Sequence, residues 1–177
     1  VSSCIIGGGI DMKKILTMLL FLVVGLQTRA DDNSNRLGVA FGLLYENGLD
    51  ATLSYEHETR YHNAWEYFGN VYLKWAECED CGHICKDSFW HNYNTWTLGI
   101  AYKPAVHIGR NNVGRLRIGV LGGSDKSKFV GGGTVGYEHT YQLKGGFQLF
   151  WNVRTDVMAR GEDLFKTGIS VGARINL

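Results

Sequence analysis

The 177-residue chain has one proline (Pro104), four cysteines and charged side chains at only 20% of its positions. It lacks a basic tail. After residue 30 it carries 15 basic and 16 acidic residues, a balance that offers nucleic acid no cationic surface. No later stretch approaches the roughly 20 apolar residues that a membrane-spanning helix needs. A P-loop, a nucleophile elbow and a paired-histidine metalloprotease motif are all absent. Aromatic residues make up 12% of the chain, which excludes a disordered polymer, and the scarcity of proline leaves strands free to run.

The N-terminal 30 residues have the composition of an export signal. Lys13 and Lys14 form a positive start, Ile15 to Leu26 an apolar stretch too short to span a bilayer, and Thr28-Arg29-Ala30 a cleavage site. Residues 1–11 precede Met12 and read as an upstream remnant, and residues 12–30 as a signal peptide. Residues 31–177 are then expected to form a single domain.

Within that domain hydropathy alternates with period two. Ile169, Val171, Ala173, Ile175 and Leu177 lie on one face of the last segment, opposite Gly168, Ser170, Gly172, Arg174 and Asn176. Leu37, Val39, Phe41, Leu43 and Tyr45 repeat the theme, and Asn47-Gly48 supplies a tight turn to Ala51, Leu53 and Tyr55. Further segments run through Trp65 to Trp75, Thr95 to Lys103, Arg115 to Val120, Thr134 to Glu138 and Phe147 to Arg154. No segment has a helical period. Eight strands of about ten residues are the length and number of a small up-and-down antiparallel barrel of the outer-membrane type.

Period two does not say which face is wet. A soluble lipocalin-like barrel holding a small apolar ligand buries its apolar face, whereas a membrane barrel shows it to lipid. The apolar stripes contain no Arg or Lys, which would cost about 2–4 kcal/mol at a bilayer midplane. Tyr45, Tyr55, Trp65, Trp75, Trp96, Tyr102, Tyr137 and Trp151 recur toward stripe ends, as in an interfacial girdle. The polar face carries Glu56, Glu66 and Glu138 against Lys74, Arg115, Arg117, Arg154 and Arg174, a set suited to a charge network filling a narrow lumen. These features favour lipid outside and charge inside.

Cys78-Glu79-Asp80-Cys81-Gly82-His83-Ile84-Cys85 is the densest chemistry in the chain. Cys78, Cys81, His83 and Cys85 could supply zinc ligands. In an oxidising compartment, one local disulfide and a spare thiol is the alternative, and free thiols a third. Gly131, Gly133 and Gly136 match a dinucleotide-binding spacing, but a strand rather than a helix follows them, so no helix N-terminus would meet a pyrophosphate. Glu138 and His139 are adjacent on a strand and therefore point to opposite faces. No catalytic residue and no cofactor is expected. An enzyme would have to use the cysteine loop as a redox or zinc centre.

The run Tyr67-Phe68-Gly69-Asn70-Val71-Tyr72-Leu73-Lys74-Trp75, the cysteine segment and Ser88-Phe89-Trp90 resemble the TraO family of Bacteroidales conjugative transposons. So do Ala101-Tyr102-Lys103-Pro104, Leu116-Arg117-Ile118-Gly119, Gly136-Tyr137-Glu138-His139-Thr140-Tyr141 and Gly161-Glu162-Asp163-Leu164-Phe165. The resemblance covers about Leu37 to Leu177. It implies a part in conjugative DNA transfer in the cell envelope. Joined to the barrel reading, the expectation is a non-enzymatic structural component in the outer membrane. The expected partners are other envelope transfer proteins and outer-membrane lipid, with no direct nucleic-acid contact.

Three thiols cannot all pair within one chain. After export, a Cys78–Cys85 or Cys81–Cys85 bridge is expected to predominate over the tighter Cys78–Cys81 loop, with the third sulfur free, metal-bound or bridged to a partner. Mass spectrometry of alkylated, non-reduced protein from the cell envelope checks this. Three alkylated thiols without zinc would remove both the bridge and the metal site.

Overall fold

The computed structural model describes residues 35–45, 48–74, 95–125, 128–161 and 163–177. The N-terminal segments 1–11 and 12–30, the cysteine loop with Cys78, Cys81, His83 and Cys85, and Trp75 lie outside the described residues, as does the Lys74 side chain.

The described residues form nine strands in chain order: β1 (Asn35–Leu44), β2 (Gly48–Glu58), β3 (Ala64–Lys74), β4 (Thr95–Lys103), β5 (Ala105–Ile108), β6 (Asn112–Asp125), β7 (Lys128–Gln142), β8 (Phe147–Ala159) and β9 (Phe165–Asn176). Neighbours pair antiparallel in the order β4-β3-β2-β1-β9-β8-β7-β6-β5, and a further pairing of β4 with β6 closes the sheet. The closing ladder runs from Trp96↔Ser124 to Tyr102↔Ile118. The result is an eight-stranded antiparallel barrel in which β4 and β5 act as one interrupted strand.

Pro104 makes the interruption. It has no N–H to give the ladder, but its carbonyl accepts from Leu116 N at 3.0 Å, so pairing with β6 resumes at Ala105↔Arg115. A register shift follows between Ala105 and His107. Read as sequence, Pro104 to Val113 is a long connection. In the fold, most of it is the β5–β6 hairpin.

The two faces are sorted with little ambiguity. Along β1, Arg36, Gly38, Ala40 and Gly42 are buried while Phe41 and Leu43 are exposed. Phe41, Leu98, Val120 and Val171 are 62–66% exposed, whereas Glu56, Lys103 and Arg174 are 0% exposed. This is the reverse of a water-soluble barrel, whose apolar side chains turn inward. The lumen holds charges where a lipocalin-like barrel keeps room for an apolar ligand, so the soluble reading is disfavoured. Among the described residues, Phe68, Tyr72, Ala101, Leu121, Val130 and Met158 form a small apolar cluster inside.

Outward aromatic rings gather at both ends of the wall. Near the end where β1 begins and β9 ends, Trp65 packs on Tyr102 (ring centroids 5.0 Å apart), Tyr55 on Tyr67 (6.3 Å) and Tyr137 on Trp151 (5.7 Å). Tyr45, Trp96, Phe129 and Phe165 are exposed at the other end. The ten-residue separation of Phe129 and His139 on β7 spans about 26 Å along the axis, at about 3.4 Å per residue and a tilt of about 40°. That is close to the roughly 25 Å apolar band of membrane barrels.

Placing a charge on this wall should therefore cost stability according to depth. Val171→Arg, in the middle of β9, is expected to lose about 2–4 kcal/mol of folding stability in lipid, and Ile175→Arg, near the end of the same strand, about 0–1 kcal/mol. Unfolding titrations in lipid vesicles measure both. Equal losses would contradict a lipid-covered wall.

Candidate functional site

The lumen is the most constrained part of the molecule. Among the described residues it buries seven basic side chains (Arg36, Lys103, Arg115, Arg117, Arg154, Lys166 and Arg174) and seven acidic ones (Asp50, Glu56, Glu58, Glu66, Asp125, Glu138 and Asp156). Charges this far from water persist only when paired and hydrogen-bonded. The equal numbers make such pairing possible.

Glu56, Glu66 and Glu138 reach inward from β2, β3 and β7 and bring carboxylate oxygens within 4.8 Å of one another. Three carboxylates so placed repel strongly and form a donor set that a hard cation can occupy. Here the lysine at the end of β4 meets them. Lys103 Nζ lies 2.5 Å from Glu56 Oε2, 2.8 Å from Glu138 Oε2 and 3.7 Å from Glu66 Oε1.

Arginines complete the cluster. Arg174 grips Glu138 with both terminal nitrogens, at 2.8 and 2.5 Å, in the two-pronged geometry that suits guanidinium to carboxylate. Arg115 donates to Glu56 (3.0 Å), Glu58 (2.8 Å) and the carbonyl of His62 (2.8 Å). Arg117 donates to Glu66 and to Thr134 Oγ1, each at 2.8 Å. Arg36 pairs with Glu58 and donates to Asn176 Oδ1 at 3.1 Å. At the mouth, His62 Nδ1 lies 2.7 Å from Glu58 Oε1.

A second cluster occupies the other half of the lumen. Arg154 pairs with Asp50, approaches Asp156 at 3.4 Å, and donates to Thr52 Oγ1 and Asn70 Oδ1 at 3.2 Å. The Tyr72 hydroxyl donates to Asp156 at 2.5 Å. Lys166 Nζ sits 4.7 Å from the Tyr72 ring centre and donates to Thr95, which in turn donates to Asp125. Aromatic plates back the guanidinium groups, Phe68 at 4.1 Å from Arg117 and Phe150 at 3.8 Å from Arg174.

Of the residues expected in the lumen network, Glu56, Glu66, Arg115, Arg117, Glu138 and Arg174 converge in the first cluster, while Arg154 anchors the second. Lys74 lies on β3, with its side chain outside the described residues. Sequence reasoning missed Lys103 as a member, along with Arg36, Asp50, Glu58, Asp125, Asp156 and Lys166. The signal was present for Lys103, which alternates onto the polar side of Trp96, Leu98, Ile100 and Tyr102. His57, His62, His107 and His139 all sit at the rim where β1 begins and β9 ends, and Glu138 and His139 do point to opposite faces.

This arrangement fills space and holds charge. Removing its central cation leaves buried carboxylates facing one another, so Lys103→Met is expected to cost about 3–5 kcal/mol, the range for breaking a buried ion pair from one side. Urea unfolding in detergent micelles reads that loss. Wild-type stability would show that Lys103 does not hold the trio.

No protein-family model matches the chain, and no curated protein matches it. Among solved structures it is similar to one described as "De novo design of transmembrane beta-barrels", with a TM-score of 0.55 and 7% sequence identity over 84% of this chain and 100% of the other. At that identity the likeness concerns the fold alone.

Proposed function

We propose that this chain is a non-enzymatic structural component of a conjugative DNA-transfer apparatus, anchored in the outer membrane as a small barrel that docks other envelope transfer proteins. The observation that carries the structural role is the filled lumen. An eight-stranded barrel has an interior just wide enough for side chains, and this one packs fourteen ionic groups of its described residues there. DNA cannot pass such an interior, so any conduit belongs to other subunits. The membrane setting is supported by the exposed apolar wall, by its aromatic ends and by the likeness to a designed transmembrane barrel. The place in conjugation rests on the resemblance of the strand and cysteine-loop segments to the TraO family.

Two measurements test this reading. Deletion of the chain from a donor strain should lower transfer frequency, with recovery when it is supplied in the donor but not in the recipient. Unchanged transfer would remove the conjugation role. Purified barrel in planar bilayers should show no steady, porin-like conductance. A stable open channel would contradict the plugged lumen.

A further inference from the structure

Carboxylate side chains are unevenly placed. Among the described residues all but Asp163 lie in the lumen, and Asp163 sits in the turn between β8 and β9, at the far end from the start of β1. Outside the lumen, the end where β1 begins carries cations instead. Arg110, in the turn between β5 and β6, and Lys144, in the turn between β7 and β8, are both exposed. A hydrogen bond joins the two turns, Gln142 N donating to Asn111 O at 2.8 Å. Arg110 therefore stands one residue to one side of the junction and Lys144 two residues to the other.

Next to these turns the outer wall is aromatic. The His139 ring lies 4.9 Å from that of Tyr141 and 5.9 Å from that of Trp151, and the Tyr137 ring lies 5.7 Å from Trp151. Depth decides what this combination meets. His139 stands at the edge of the apolar band, and Leu143, where the β7–β8 turn begins, lies about 10 Å further out at the same pitch and tilt. The headgroup layer outside the hydrocarbon is about 5–7 Å thick. A lysine or arginine stem lies back along apolar surface and leaves its charge at the polar level. Both charges thus reach the level of lipid phosphate, while the rings lie against the upper acyl chains.

We infer that Arg110 and Lys144, beside the aromatic patch of Tyr137, His139, Tyr141 and Trp151, form a headgroup site for an anionic glycerophospholipid. A phosphate diester offers paired oxygens to a guanidinium and a concentrated negative charge to an ammonium group. A zwitterionic lipid brings a cation of its own. Arg110 and Lys144 repel that group, and no described side-chain carboxylate outside the lumen at this end receives it. A headgroup with net negative charge meets no such conflict. The inference rests on the membrane setting of the wall and not on a part in DNA transfer.

Trp151 provides the readout. The full chain is refolded in phosphatidylcholine vesicles containing a minor share of lipid brominated high on its acyl chains, which quenches a neighbouring tryptophan. The signal is the difference between wild type and Trp151→Phe. Brominated phosphatidylglycerol should quench more strongly than the same share of brominated phosphatidylcholine. Arg110→Gln and Lys144→Gln should each lower that preference about fivefold, the scale for one basic residue at an anionic surface, and Lys144→Arg should keep it. Lys128→Gln, which removes an exposed cation at the opposite end, should leave it unchanged. Circular dichroism checks that each variant is folded. Equal quenching by the two lipids, or a preference that survives loss of both Arg110 and Lys144, would overturn the headgroup site alone. So would a preference abolished by millimolar inorganic phosphate at constant ionic strength, which would assign the two cations to a soluble anion. Absence of quenching by either lipid would remove the membrane setting as well.

Discussion

The contact between Lys103 and the carboxylates of Glu56, Glu66 and Glu138 is the constraint on which the rest of the barrel depends. Those carboxylates come from β2, β3 and β7, and the ammonium group from β4. They meet only if the sheet closes on itself, because β4 lies at one end of the strand order and β7 near the other. Closure and charge pairing are therefore one event. An open sheet would leave the trio without its cation, and a mispaired one would bury charges of one sign.

The same network explains what the barrel cannot be. Its net attraction is small once desolvation is counted, since buried ion pairs of this kind contribute little over an apolar core of equal volume. What it does provide is specificity of register: each acid has a defined partner, so a slip by one residue would turn the charged row toward the apolar exterior. The filled interior also leaves the outer wall and the two rims as the surfaces where other molecules are met. At one rim, Tyr61 and His62 adopt left-handed backbone (φ 64° and 62°), held by Thr59 contacts to Asn63 and by Arg115 on the His62 carbonyl. The network thus reaches from the lumen into the rim turn.

Which residues share a face was legible from alternation alone, as the stripes through Phe41, Leu98 and Ile169 show. Identity of the individual partners was not. Lys103 stands next to Pro104, where a strand end is expected, and nothing local says that its ammonium group reaches across the lumen to β2 and β7. Phe68, Tyr72 and Phe150 interrupt the polar face in sequence, yet inside they serve as plates against Arg117, Lys166 and Arg174. An aromatic ring can serve either face, so composition does not assign it.

The amino-acid sequence by itself determined the period, the number of barrel strands and the sorting of apolar from charged positions, because side-chain direction in a strand follows from backbone geometry. Tertiary structure decided which charges pair and that β5 continues β4 beyond Pro104. Each of these depends on register between strands distant in the chain. Register is set by how the whole sheet closes, and no local stretch of sequence carries that information.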